Sequence, residues 1–220
     1  MRNNKNVPNS LYRYMSLEYV YDAIEKGIYA SHLDKVNDPY ESEGIVNTDK
    51  YRVCCMTNSP RKILLWSYYL RHEGCVIAID VTTIKKSDSK AIRYVTYDDK
   101  LRHIRREMSP TEIVEDLYHK GKEWEHENEY RAVYYEQSAK KETWNIYKNE
   151  VYLNARVTEV IFGLKVNTGY TGYLELLAKI KEYNESHVDQ IAVKKLILKS
   201  NKYELCEDRQ YDYKEILKCR

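Results

Sequence analysis

With 220 residues and 43% hydrophobic side chains, the chain is long enough to fold around one substantial core. Its 36 Lys and Arg against 34 Asp and Glu leave a net charge of +2, which excludes a globally basic nucleic-acid coat and an acidic tail and leaves room only for a local basic patch. Five cysteines without a C-x-x-C pair give no support to a zinc or redox motif and fit free thiols in a reducing cytoplasm.

Residues 1–10 read as a flexible polar segment without the apolar stretch of a signal peptide. No run approaches the ~18–20 apolar residues of a spanning helix, so no membrane role is expected. Residues 11–220 read as a single domain, because 7 Gly, 4 Pro and the absence of repeats or low-complexity linkers offer few places to divide the chain. The 23 tyrosines, against one Phe and three Trp, predict a core in which many ring hydroxyls are hydrogen-bonded.

In chain order, Leu11–Met15 reads as a short strand, followed by a helix capped by Ser16 and ended by Gly27. Ile28–Ser31 reads as a strand and His32–Glu43, with Asn37-Asp38-Pro39, as a loop. Tyr51–Thr57 should be a buried strand, Arg61–Leu70 a short helix or turn, Gly74–Val81 a central strand and Ala91–Tyr97 a further strand. Ser109-Pro110-Thr111-Glu112 combines a cap, a first-turn proline and a capping-box glutamate, and so starts a helix. Glu129–Tyr135 and Val157–Leu164 read as strands, and Thr171–Asn184 as an amphipathic helix with Leu174, Leu177, Ala178 and Ile180 inward. Gln190–Leu198 and Tyr203–Glu207 close the chain as strands. Without a regular βαβ rhythm the expected class is α+β: a mixed, mostly antiparallel central sheet, whole or split, flanked by helices.

Phosphate-loop, G-x-G-x-x-G, H-E-x-x-H and G-x-S-x-G signatures are absent, which leaves kinase, dinucleotide dehydrogenase, zincin and serine-hydrolase readings unsupported. Four polar clusters remain. In Tyr12-Arg13-Tyr14 the strand alternation sets Arg13 opposite the tyrosines, as a surface group or as a fork for phosphate or carboxylate. Asn37 and Asp38 suit a turn that bonds its own backbone, or a substrate-facing loop in which Asp38 or Glu41 accepts a hydroxyl. Among Trp66, Tyr68 and Tyr69 some rings must enter the core and one could stack on a flat ligand, with His72 either a ligand-facing donor or part of a turn. Glu127, Glu129 and Arg131 are spaced for one strand face, which is either a solvated edge or a cleft holding a carboxylate where positive charge develops.

Taken in order, the segments Leu11–Tyr14, Asn37–Glu41, Cys55–Thr57, Leu64–Tyr69, His72–Gly74 and Trp124–Arg131 resemble a bacterial family known only as a domain of unknown function. Its pattern runs N-D-P-aromatic-E, L-x-W-S-x-Y, H-x-G and W-x-x-E-x-E-Y-R, and the match covers residues 11 to about 165. Thr57 stands where serine is commoner, and Tyr69-Leu70 where a small residue often follows the tyrosine. The same order looks like the layout of ADP-ribosyltransferases. That likeness implies Arg13 as the first active-site member, Glu129 as the last and catalytic one, and Glu127 as its E-x-E partner. Tyr12, Tyr14, Asn37, Asp38, Glu41, Trp66, Tyr68, Tyr69, His72 and Arg131 would then line the ligand site.

The implied function is NAD processing, by transfer of ADP-ribose to a macromolecule or by hydrolysis, with NAD as substrate and no metal. A place in a bacterial defence or toxin system would fit. Two other expectations stand beside it. One is a non-catalytic module that senses a nucleotide, a protein or a phage component. The other is an RNA-end or RNA-phosphate processing protein, using the basic run Lys100, Arg102, Arg105 and Arg106.

Overall fold

The structure, a computed structural model, describes residues 6–100 and 105–218. It is α+β, and the chain divides into two compact units. One comprises Lys26–Asn58 and Val81–Ala155 with the stretch ending at Asn9; the other comprises Ser10–Glu25, Ser59–Asp80 and the chain from Arg156 onward. Each unit is therefore assembled from separated stretches, which is why no linker is legible in the sequence.

The first unit is built on the Glu129–Tyr135 strand, which pairs antiparallel with Tyr51–Thr57 on one side and with Ile92–Tyr94 on the other. The register sets Thr57 opposite Glu129, Cys55 opposite Arg131 and Val53 opposite Val133, so these residues share one face. Helix Pro110–Asp116 has the expected capping box and contributes Ile113 to the core; Leu117 follows at its C-cap. Both pack with Leu33, Ile45, Tyr51, Val53 and Tyr135. Thr96–Asp98 and His119–Gly121 form a two-stranded parallel pair. A hairpin of Trp144–Tyr147 and Glu150–Leu153 turns through Lys148 and Asn149 at φ of 50° and 66°, the left-handed geometry that matches strand twist, and continues onto Ile28–Tyr29.

In the second unit Cys75–Asp80 is central, antiparallel to Ser10–Met15 on one side and to Arg156–Phe162 on the other. Covered on both faces, it reads as an unbroken apolar run from Cys75 to Ile79, all buried. The helix Thr171–Ser186 then leads to Ala192–Leu198, parallel to Arg156–Phe162, and Leu205–Glu207 adds an antiparallel edge. Trp66, on helix Ile63–Leu70, is the hub of this core with Val76, Ile161, Leu196 and Leu205. Its Nε1 donates to the Pro60 carbonyl at 2.7 Å, and Tyr14 meets its ring edge-on at 5.3 Å. Gly163 is obligatory here, since a Cβ would stand 2.4 Å from the His72 carbonyl oxygen and 2.7 Å from the Trp66 ring.

Several expected elements differ in detail. Ser16 lends no side-chain cap, and the helix begins as a 3-10 turn, Leu17–Tyr19, before Val20–Lys26. The Ile28–Ser31 strand is interrupted at Ala30, because Ile28–Tyr29 and Ser31–His32 pair with different partners. Ala91–Tyr97 breaks at Val95 for the same reason. The Thr171–Ser186 helix buries Tyr173, Leu176, Leu177 and Ile180 and leaves Ala178 exposed. The Tyr173 ring, 4.9 Å from Phe162, buries far more area than a methyl and sets the inward face. Strand His119–Gly121, the Trp144–Leu153 hairpin and helices Thr82–Ser87 and Tyr213–Lys218 are additional to the expectation. Of the segment expected to be flexible, residues 1–5 lie outside the described residues. Val7 and Asn9 are tied by Lys85, whose Nζ donates to the Val7 carbonyl at 2.7 Å and to Asn9 Oδ1 at 2.8 Å. Arg102, the Arg105 side chain and Cys219 also lie outside the described residues. Among those described, no helix is long and apolar enough to cross a membrane.

Candidate active site

Five charged side chains from four segments meet inside the first unit. Glu129 and Arg131 come from one face of their strand, two residues apart. Glu127 precedes Asn128, whose left-handed φ of 44° ends a 3-10 turn, and Thr57 Oγ1 donates to the Glu127 carbonyl at 2.7 Å to hold that corner. Lys120 is the middle residue of His119–Gly121 and points opposite to its neighbours. Glu41 ends the Pro39–Glu41 turn, where Asp38 accepts from the Tyr40 amide at 2.9 Å and Pro39 presets the first position. The Asn-Asp-Pro sequence therefore works as a turn, and the turn delivers Glu41 inward.

All five side chains are buried. Arg131 donates from Nε to Glu129 Oε1 at 2.6 Å, from Nη2 to Glu129 Oε2 at 2.9 Å and to Glu41 Oε1 at 2.6 Å, and from Nη1 to the Leu117 carbonyl at 2.7 Å. Lys120 Nζ lies 2.7 Å from Glu127 Oε2, 3.4 Å from Glu129 Oε2 and 3.6 Å from Glu41 Oε1. The Glu129 amide donates to the Tyr97 hydroxyl at 2.8 Å. Such burial is expensive unless every charge is paired. Three carboxylates face two cations, so one negative charge lacks a partner within the cluster.

The two carboxylates on Arg131 respond in opposite directions. Burial alone would raise the Glu129 carboxyl, but Arg131 and Lys120 outweigh it and hold it down to about 2, ionised at neutral pH. For Glu41 burial is the largest influence and prevails over Arg131, with Glu129 adding repulsion, so its carboxyl sits above the ordinary value. Glu41 Oε2 has no hydrogen-bond partner although it is buried. Burial disfavours the charge of Lys120, yet its three carboxylate neighbours keep it protonated well into the alkaline range.

Glu41 and Lys120 form part of the wall of a cavity of about 650 Å³. Trp124 is another part of that wall, its ring centroid 4.4 Å from Lys120 Nζ, and Tyr40 lies near the mouth with 58% of its surface exposed. Six carboxylates line the cavity against three lysines, Lys100, Lys120 and Lys122. Glu129 does not line it: both of its oxygens are spent on Arg131 and Lys120.

The residues expected at the site are thus distributed. Glu41, Glu127, Glu129 and Arg131 come together, and Asp38, buried as a turn cap, lines the cavity beside Glu41; Asn37 is exposed. The solvated-edge alternative for Glu127–Arg131 is overturned, because the Glu129–Tyr135 strand has a neighbour on each side and its charges are buried. Arg13 belongs to the second unit, as do Tyr12, Tyr14, Trp66, Tyr68, Tyr69 and His72. Trp66 is fully buried in that unit's core and presents no face to a ligand. Tyr14 is spent on structure: its hydroxyl donates to the Ser59 carbonyl at 3.3 Å and accepts from the Lys62 amide at 3.1 Å. Lys120 and Trp124 were not anticipated. Trp124 stood in the most charged stretch of the chain, and its proximity to Glu127 was a signal; Lys120 gave none, because its short strand depends on a partner more than 20 residues away.

No protein-family model, no curated protein and no solved structure matches the chain.

Proposed function

We propose that the protein is an NAD-consuming enzyme of the ADP-ribosyltransferase type, with the Glu41–Trp124 cavity as its active site. The observation that carries the reading is the pair of carboxylates on one arginine, with Glu129 fixed as an anion and Glu41, a residue of the cavity lining, of raised proton affinity and with one buried oxygen left without a hydrogen-bond partner. Environments that push two carboxyls apart in this way separate an electrostatic role from an acid–base role.

Cleavage of the nicotinamide–ribose bond sends the bonding electron pair to the ring nitrogen and leaves positive charge on C1′ and the ribose ring oxygen. An acidic cavity stabilises that charge as it develops. The Glu41 carboxylate accepts a ribose hydroxyl or, as base, the proton that water or an acceptor group loses on bonding to C1′, which requires a side-chain rotation that brings its unpartnered oxygen to the cavity. Arg131, itself fixed by Glu129, holds Glu41 in place together with Lys120. Relative to the ADP-ribosyltransferase layout, the reacting carboxylate moves from Glu129 to Glu41, since Glu129 has no oxygen to spare. A defence or toxin role is part of the proposal through the same resemblance.

The saturation of Glu129 also favours a second reading, in which the cavity binds a nucleotide or protein ligand without turnover. Incubating the full chain with NAD and following free nicotinamide, with and without bacterial extract as acceptor, separates the two. Nicotinamide release supports the enzyme; NAD binding without release under any condition leaves the binding module, and neither binding nor release overturns both.

A further inference from the structure

The second unit has a cavity of its own, about 970 Å³, within the size range of small-molecule sites. Three tyrosine rings face it while staying accessible: Tyr68 at 45%, Tyr69 at 39% and Tyr170 at 58% exposure. The Tyr170 ring is seated deliberately, because a Cβ on Gly172 would stand 2.7 Å from it, so the glycine makes room for the ring.

Arg71 and Lys165 both line the cavity, and neither makes an ion pair among the described residues. Their chain segments are fastened together by the Lys165 amide, which donates to the His72 carbonyl at 2.9 Å. Arg71 and His72 occupy consecutive left-handed positions, φ 51° and 66°, at a helix end where glycine is usual. A cation on strained backbone thus lines a cavity that also carries three rings, a combination found at ligand clamps. A third cation, Lys179, is occupied over the Tyr21 ring at 4.5 Å. Glu18, Glu73 and Glu175 balance the three cations, so the cavity does not attract polyanions in general.

We infer that this cavity is a second ligand site, which takes a flat aromatic ring stacked on Tyr68, Tyr69 and Tyr170 and bearing one anionic group held by Arg71 and Lys165. A nucleoside monophosphate is the simplest member of that class. The site is independent of the proposed NAD chemistry.

Calorimetric titration of the full chain with AMP, adenosine and inorganic phosphate tests the inference. AMP is expected to bind about tenfold or more tighter than adenosine or phosphate, since ring and anion each contribute. Arg71→Gly, which keeps the left-handed backbone at no steric cost, lowers AMP affinity towards that of adenosine, with Lys165 still in place, and leaves adenosine unchanged. Tyr68→Ala weakens AMP and adenosine together. Glu41→Gln leaves AMP binding as in the wild type. Undetectable AMP binding, AMP affinity unmoved by Arg71→Gly, or AMP binding lost in Glu41→Gln overturns the second site, whatever the outcome with NAD.

Discussion

Arg131 grips Glu129 with two parallel hydrogen bonds, 2.6 Å and 2.9 Å, and with the same guanidinium reaches Glu41 at 2.6 Å. One arginine thereby serves two buried carboxylates, and only one of them has an oxygen left over. The planar fork explains why a lysine could not replace it: no point charge reaches both oxygens of Glu129, an oxygen of Glu41 and the Leu117 carbonyl at once.

Removing that fork strands two buried carboxylates. Arg131→Met is expected to cost about 3–5 kcal/mol, the usual penalty for breaking a buried pair from one side. For a chain of this size the melting temperature would fall by roughly 6–20 °C, which thermal unfolding monitored by circular dichroism will show.

Stability should depend on pH through the same pair, in opposite senses. Glu129, held down to about 2, contributes stability that is complete above its unfolded value near 4.5 and drains away as pH falls towards 2. Glu41, held above its ordinary value, works the other way. It binds its proton more tightly when folded, so stability is highest below about 4.5 from this group and declines as pH rises through its folded value. Glu41→Gln should therefore melt at or above the wild-type temperature at pH 8, with the difference closing by about pH 4.5, whereas Glu129→Gln should melt lower at pH 8. Melting curves across pH 3–9 decide both signs.

Trp66 and Tyr68 stand two residues apart on one helix and should behave as different kinds of residue. Trp66→Ala empties the centre of the second unit's core and is expected to cost about 3–5 kcal/mol. Tyr68, nearly half exposed, should cost less than about 1 kcal/mol on the same change. Urea midpoints measured at equal slope give the comparison.

Gly27 offers a backbone test. Its φ of 98° and the 2.4 Å that would separate a new Cβ from the Leu153 carbonyl oxygen leave no relaxed position for a side chain. Gly27→Ala is expected to destabilise by more than about 1 kcal/mol, read from the same denaturant curves.

Strong local signals carried much of the fold. The capping box at Ser109, the apolar run Cys75–Ile79 and the strand Tyr51–Thr57 each declare themselves without help from distant residues. Elements set by pairing were hidden: nothing in His119-Lys120-Gly121 favours a strand until Thr96–Asp98 lies beside it. The site was half legible for the same reason. Glu127, Glu129 and Arg131 were visible as charges entering an apolar strand, and Glu41 as part of an Asn-Asp-Pro turn. That these two stretches share an arginine, and that Lys120 joins them, is decided only by packing. Arg13 was legible only as one residue of a strand, which falls in the second unit. Trp66 looked equally suited to a core or a ligand; volume settled it, since a ring with Gly163 pressed against it has no open face.

The central claim is that the carboxylate with a spare oxygen reacts while its clamped neighbour only positions it. The decisive comparison is the rate of nicotinamide release from NAD by Glu41→Gln beside the wild type, each first shown to melt as a folded protein. The account predicts a loss of about 10²-fold or more, in line with removal of a charge-stabilising or general-base group. A wild-type rate from the glutamine variant would contradict it.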